Sequence, residues 1–235
     1  AVLALILSLD KEYKMEIFLF REYRDPNAKK DYKVASDNKL ITDLDKKVDA
    51  SIASYMSNLS TAGVSIGILK AGKITVYNYG ETEKGKKQLP TAATIYEIGS
   101  ISKTYTAILL ADAVKKGKIK LDDPINEYLP DSIPLQQYNN KVITVEMLSN
   151  HSSAIPYMPD NFNKPGIDGQ NPFKDYNDAD LFSFLKNLKL TREPGAAYEY
   201  SNTAVGLLGV ILERVHKKTF ENLLAEIVCT PLGMK

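Results

Sequence analysis

The sequence predicts an α/β protein, layered as α+β, in which a helical region accompanies an antiparallel sheet. Three observations predict it. Leu44, Val48, Ile52, Tyr55, Met56 and Leu59 recur at spacings of four and three, which lines one face of a helix. Two strand-like runs follow, Val64–Leu69 and Lys73–Tyr79, with the short hairpin connection Lys70-Ala71-Gly72 between them. From Ser100 onward the pattern is mostly helical.

In chain order, residues 1–9 are almost wholly apolar and too few to span a bilayer as a helix. They read as the remnant of a signal-peptide core, which predicts a periplasmic or secreted protein, or else as a stray apolar strand. Residues 10–36 are charged and irregular, so 1–36 is expected to be leader or linker and 37–235 one domain. Thr42 or Asp43 suits the N-cap of the first helix. After a polar loop, Glu81 to Pro90, Ser100 opens a helix marked by Ile101, Tyr105, Ile108, Leu109, Ala113 and Val114 and stopped by Gly117. Further helices are expected at 144–150, 179–189, 203–217 and 220–228. A loop rich in Pro, Gly, Asn and Asp runs from Pro156 to Tyr176, long enough to suggest a functional role. A hairpin alone makes no stable sheet, so more strands are expected beyond Lys235 or from another chain.

Composition excludes several function classes. Thirty basic residues against 29 acidic ones give no electrostatic reason to expect nucleic acid or an anionic membrane as partner. A lone cysteine, Cys229, forms no intrachain disulfide and reads as a packed thiol. Neither of the two histidines has a second ligand at helical spacing, and no glycine-rich phosphate loop is present, so no metal or cofactor is implied. His216, beside Lys217 and Lys218, reads as a solvated charge at a helix end. His151 sits beside Ser152 and Ser153, but without the G-x-S-x-G elbow of a Ser-His-Asp hydrolase.

The chemistry-bearing candidate is Ser100-Ile-Ser-Lys103. Positions three apart on a helix are neighbours, about 5–6 Å between Cβ atoms, so the lysine amine can reach the serine hydroxyl. A hydroxyl becomes nucleophilic when a neighbour takes its proton, and the head of a helix favours a developing oxyanion. The spacing alone says little, because S-x-x-K also starts at Ser8, Ser36 and Ser183. Of the four, only Ser100 follows a strand-and-loop segment and opens a strongly apolar helix. The second candidate is Tyr200-Ser201-Asn202. A phenol near a cationic lysine can move protons, and an Asn amide offers a donor and an acceptor to a substrate amide. That pattern recurs at Tyr138-Asn139-Asn140, and Tyr198 and Tyr200 could equally be packing aromatics.

Taken together, several segments resemble the serine β-lactamase-like family: class C β-lactamases, low-molecular-weight penicillin-binding proteins, and related esterases and D-amino-acid peptidases. They are Gly63–Lys70, Tyr96–Thr104, Lys120–Ile125, Leu148–Pro156, Pro194-Gly195, Tyr198–Asn202 and Thr230–Met234, in the family's order over roughly residues 40 to 235. The resemblance implies a β-lactamase/transpeptidase-like fold and acyl transfer. Ser100 would be the acylated nucleophile, Lys103 its proton acceptor, Tyr200 the general base or acid and Asn202 the substrate-amide contact. The Ser100 N–H would supply half of an oxyanion hole. The implied substrate is a β-lactam, a D-amino-acid peptide or an ester, and the first two motifs do not separate these.

Two departures stand out. The family commonly has Ser-Gly where this chain has Ser153-Ala154, a change expected to alter a turn. Its third motif, a Lys-Thr-Gly or His-x-Gly strand, would lie beyond Met234, so the chain is expected to be the N-terminal two-thirds of such a domain. From a different class, a catalytically incomplete penicillin-binding-type module would hold such ligands without turning them over.

Overall fold

The computed structural model describes residues 3–6, 34–56, 61–168 and 171–234, the first of these as backbone. They fall into two compact units, Ala1–Gly99 and Ser100–Lys235. The physical reason is that the chain builds two separate apolar cores.

In the first unit, a short strand β1 (Leu3–Ile6) precedes helix α1 (Asp43–Met56) and the hairpin β2 (Gly63–Lys70) and β3 (Lys73–Gly80). Thr42 caps α1: its Oγ1 accepts from the Asp45 N–H at 3.1 Å, and the Asp45 carboxylate accepts the Thr42 N–H at 2.8 Å. The Asp45 carboxyl is lowered to about 2, chiefly by that Thr42 backbone bond and then by the Tyr77 hydroxyl. β2 and β3 pair antiparallel with Val64 opposite Tyr79 and Ile66 opposite Tyr77. Period-two alternation puts Val64, Ile66 and Ile68 on one face, where they bury against Val48, Ile52 and Met56 of α1. The opposite face is mixed, with Ser65 opposite Asn78 at one end and exposed Leu69 opposite Ile74 at the other. Ser65 Oγ bonds Asn78 Oδ1 at 2.6 Å and the Tyr96 hydroxyl at 2.7 Å, while Asp37 accepts from Asn78.

Gly80 ends β3 at φ +76, with the Ala62 carbonyl 2.2 Å from where a Cβ would stand, so no side chain fits. At the edge of the antiparallel hairpin, β1 pairs with β2 in parallel. The long connection from Ile6 to Gly63 allows this, since parallel strands need a crossover rather than a tight turn. Most of the leader assigned to 1–36 lies outside the described residues. Of the rest, Ser36 bridges to Tyr79.

The second unit is helical: α2 (Ser102–Lys115), α3 (Val145–Ser149), α4 (Asp178–Asn187), α5 (Asn202–His216) and α6 (Phe220–Leu224), the last running into a π-helical turn at Ala225–Cys229. Each expected helix is present within a few residues of its predicted ends. α5 is the hub. It buries Ala204, Leu207, Leu208, Ile211 and Leu212 against Leu109 and Ala113 of α2, Leu148 of α3 and Leu223 of α6. Each fully buried aliphatic side chain contributes about 1.5–3 kcal/mol of transfer free energy, so this core sets where α2 and α5 begin.

Gly117, at φ +68, stops α2 by folding its N–H back to the Val114 carbonyl while the Lys118 N–H reaches Ala113. Tyr138-Asn139-Asn140 is a turn: β4 (Gln137–Tyr138) pairs with β5 (Lys141–Val142), and Asn139 and Asn140 have φ +49 and +63. Two left-handed residues make the tight hairpin connection that asparagine tolerates, which removes this second Y-x-N from the list of site candidates. Among the described residues no helix is long and apolar enough to cross a membrane.

Candidate active site

A single helical turn, Gly99–Ile101, precedes α2 and carries Ser100 at its centre. The N–H groups at such a helix head have no intrahelical acceptor, so they remain available to an incoming anion. Lys103 stands one turn on, and its Nζ donates to Ser100 Oγ at 3.2 Å. The second partner comes from the segment before α5: Ser100 Oγ and the Tyr200 hydroxyl share a hydrogen bond of 2.6 Å. Lys103 Nζ also lies 4.9 Å from the centre of the Tyr200 ring. A serine, the lysine one turn on and a tyrosine 100 residues away thus meet at one oxygen.

The electrostatics follow from that meeting. Burial raises the Tyr200 phenol, but hydrogen bonding to Lys103 and Ser100 and the lysine's charge outweigh it, and the net shift is downward. A phenol held below its ordinary value near 10 gives up its proton more readily, and its oxygen is the nearest acceptor to Ser100 Oγ.

Tyr200 is held from both sides. The next residue, Ser201, is fully buried and caps α5: its Oγ accepts the Ala204 N–H at 2.9 Å and donates to the Pro156 carbonyl at 2.8 Å. The Tyr157 carbonyl accepts from the Asn202 and Thr203 N–H groups at 3.0 and 3.3 Å. Asn202 begins α5, and its side-chain amide faces Met158 Sδ at 3.7 Å. Among the described residues it makes no hydrogen bond to Ser100 or Lys103. It stands two residues from Tyr200 and lines a neighbouring cavity.

His151 belongs to this arrangement although sequence reasoning left it without a role. Its ring lies 4.5 Å from the Tyr200 ring at 35°, and edge-on to Tyr198 at 5.7 Å. The Ser201 N–H donates to His151 Nδ1 at 3.2 Å, which puts the ring proton of the neutral form on Nε2. Burial lowers the His151 pKa, and the charge of Lys103 lowers it further. The one available signal was its place in the His151–Ala154 segment.

In that segment His151 and Ala154 both have left-handed backbones, φ +62 and +64. The family's glycine position therefore keeps its glycine conformation here, and an alanine bears the strain. His216 corrects an expectation. It is half-buried, burial and then Lys118 lower its pKa, and Lys118 Nζ approaches Nδ1 at 3.3 Å, so it is no solvated charge. Cys229 is a half-buried free thiol. Among the described residues no three His, Cys, Asp or Glu side chains converge as metal ligands would.

The loop from Pro156 to Tyr176 is pinned to α4. Asn177 caps that helix in a reciprocal box with Asp180, and Lys164 pairs with Asp180 at 2.6 Å. Tyr176 donates to Asn161 at 2.9 Å, and Phe162 packs at 5.1 Å from Phe173 and 5.4 Å from Tyr176.

A serine at a helix head, a lysine one turn on and a tyrosine bonded to the same serine oxygen make a geometry that can activate a hydroxyl. The beta-lactamase family model matches residues 48–235, and the chain belongs to that family. It is 31% identical over 194 residues to a beta-lactamase of Pseudomonas fluorescens, covering 83% of this chain and 50% of that one. With the D-alanyl-D-alanine-carboxypeptidase/endopeptidase AmpH of Escherichia coli (strain K12) it shares 30% identity over 174 residues, 74% of this chain and 44% of that one. The octameric penicillin-binding protein homologue from Pyrococcus abyssi superposes with a TM-score of 0.69 at 29% identity, covering 83% of this chain and 44% of that one. The chain thus spans half or slightly less of the length of the relatives it matches.

Proposed function

We propose that this chain is the nucleophile-bearing part of a serine hydrolase that works through an acyl-enzyme. The observation that carries the reading is the shared hydrogen bond of 2.6 Å between Ser100 Oγ and the Tyr200 hydroxyl, with Lys103 donating to the same Oγ at 3.2 Å. In the proposed sequence Ser100 Oγ attacks the carbonyl carbon and its proton passes to the Tyr200 oxygen, whose ionised form Lys103 stabilises. The negative charge on the carbonyl oxygen is met by the Ser100 N–H at the helix head. Collapse of the tetrahedral intermediate expels the amine or alkoxide, which takes the proton from Tyr200. Water then attacks the acyl-Ser100 ester by the same route in reverse. Lys103, read from the resemblance as proton acceptor, acts in this sequence as the cation that favours ionised Tyr200, and Tyr200, the nearer partner, takes the proton.

The reading fits a class C β-lactamase, a D,D-peptidase or an esterase, and the substrate class is an amide, a β-lactam or an ester carbonyl. The test is intact-mass labelling with a fluorophosphonate and, separately, a penicillin, comparing the chain with Ser100→Ala. A Ser100-dependent adduct with both supports acyl transfer to β-lactam or peptide-like carbonyls, and one with the fluorophosphonate alone points to esters. Absence of any covalent adduct, with penicillin still bound reversibly, would favour the penicillin-binding-type module instead.

A further inference from the structure

Tyr200 lies in a stretch, residues 198–201, that belongs to no helix or strand. Regular structure therefore does not fix the phenol, and His151 does. The Glu199 N–H donates to the His151 carbonyl at 2.7 Å, and the Ser201 N–H donates to ring Nδ1 of the same residue at 3.2 Å. Ser201 is extended, φ −134 and ψ 118, and in an extended chain N–H groups two residues apart point the same way. One residue thus takes both donors that flank Tyr200. The ring nitrogen stands where a neighbouring strand would offer its next carbonyl.

The same ring covers the phenol. It packs 4.5 Å from the Tyr200 ring at 35° and meets Tyr198 edge-on at 5.7 Å. A tyrosine side chain turns about two bonds, and a contact on the ring face restricts both. His151 adopts this place with a left-handed backbone, φ +62, in which a Cβ crowds the following carbonyl oxygen. Glycine or asparagine would occupy that turn more easily, so the turn itself gives no reason for an imidazole there.

We infer that His151 is a positioning residue for the proton transfer at Ser100: its neutral imidazole, by accepting the Ser201 N–H and covering the Tyr200 ring, holds the phenol oxygen at Ser100 Oγ. The inference rests on the acyl-transfer reading of Ser100. The acceptor exists only while Nδ1 keeps its lone pair. A protonated ring carries N–H on both nitrogens, so the Ser201 N–H would face another donor and the bond would be lost. The charged and titratable groups placed against the ring are Lys103 from α2 and Tyr198 and Tyr200 from the segment ahead of α5. The Glu199 carboxylate of that segment is bonded by Arg192. Burial and then the charge of Lys103 favour the neutral ring.

The test uses the full chain and the rate of fluorophosphonate labelling at Ser100, read by intact mass. His151→Phe keeps a ring without an acceptor. His151→Asn keeps an acceptor at the δ position and tolerates the left-handed backbone. His151→Phe should slow labelling about ten-fold or more, and His151→Asn should recover the rate to within about three-fold. In a Tyr200→Phe background, His151→Phe should cost less than about two-fold, because the group it positions is gone. Equal losses with and without the Tyr200 hydroxyl, or no recovery in a folded His151→Asn, would overturn the inference.

A second readout needs neither a substituted chain nor acylation. In NMR spectra of the unaltered protein, the Ser201 amide should be protected from hydrogen exchange while His151 is neutral. Its protection factor should fall, and the Tyr200 ring resonances should move, at the pH midpoint where the His151 ring itself titrates. The labelling rate should decline over that same midpoint. Ser201 protection and Tyr200 resonances that ignore the His151 titration would overturn the inference, whatever the variants do. A chain that takes no label, while Ser201 and Tyr200 still follow His151, would sink the acyl-transfer reading and leave His151 as the residue that places Tyr200. Labelling that proceeds at one rate across the titration would do the reverse.

Discussion

Two helices of this molecule carry the same four-residue pattern with opposite results. Ser100-Ile-Ser-Lys103 spans the head of α2, whereas Ser183-Phe-Leu-Lys186 lies inside α4. In both, serine and lysine are one turn apart. Inside α4 the Ser183 N–H is used by the helix, its carbonyl takes a bond from the Asn187 amide, and both Ser183 and Lys186 face outward. Among the described residues no hydrogen bond or ion pair joins either side chain to another element. At Ser100 the N–H is free of the helix and a phenol arrives from 100 residues away. The difference teaches that the spacing supplies only proximity. On the proposed acyl-transfer reading, what makes a nucleophile of Ser100 is its place at a helix end and a third group brought by tertiary packing.

The largest effect that could break this comparison is on covalent labelling. Ser100→Ala is expected to abolish the fluorophosphonate adduct and Ser183→Ala to leave it intact, read by intact mass; labelling that survives the first substitution would sink the assignment. Next come the neighbours. Tyr200→Phe and Lys103→Ala should each slow adduct formation about 10²–10⁴-fold, the usual worth of a positioned proton-transfer group, while Lys186→Ala should change it less than about two-fold.

The pH profile sharpens the point. With the Tyr200 phenol lowered, despite burial, by Lys103 and Ser100, labelling should rise with pH to a midpoint below 10. Removing the charge in Lys103→Ala should move that midpoint upward. A profile identical in the two proteins would exclude Tyr200 as the group being titrated.

How much of this was legible in the sequence differs between backbone and site. The helices around Leu109, Leu185 and Leu208 announced themselves because one-sided burial imposes the 3.6-residue period. Ser100, Lys103 and Tyr200 were legible as a set through their segments, but their meeting is a tertiary fact that no spacing encodes. His151 stayed without a role for the same reason. Its partners, Tyr200 and the Ser201 N–H, are about 50 residues on and depend on how α3 packs against α5. The parallel pairing of β1 was hidden as well, since an apolar run of four residues carries no mark of direction.

A smaller effect concerns stability. Burial and Lys103 lower the folded pKa of His151 below its unfolded value near 6.5, so the unfolded chain binds the proton first as pH falls. Stability should therefore decline as pH drops through 6.5 and level off below the folded pKa. His151→Gln should flatten part of that slope in urea titrations between pH 8 and 5, leaving the share due to His216, which is shifted in the same direction. An unchanged slope would mean that the ring takes up its proton as easily in the fold as in water.

The smallest effect lies in the turn beneath it. Ala154→Gly relieves a left-handed alanine at φ +64 and should stabilise the chain by about 1 kcal/mol or less, after the extra flexibility of glycine in the unfolded state is counted. Loss of stability would show that the alanine methyl packs usefully.

The segment ahead of α5 is anchored through the carbonyls of Pro156 and Tyr157, which accept from Ser201, Asn202 and Thr203. A carbonyl is the same whichever side chain it carries. The side chains at 157 and 158 can therefore change while the carbonyls that hold the segment bearing Tyr200 stay in place. Two side chains share that fastening: Ser201 donates through its hydroxyl, and the His151 ring accepts the Ser201 N–H.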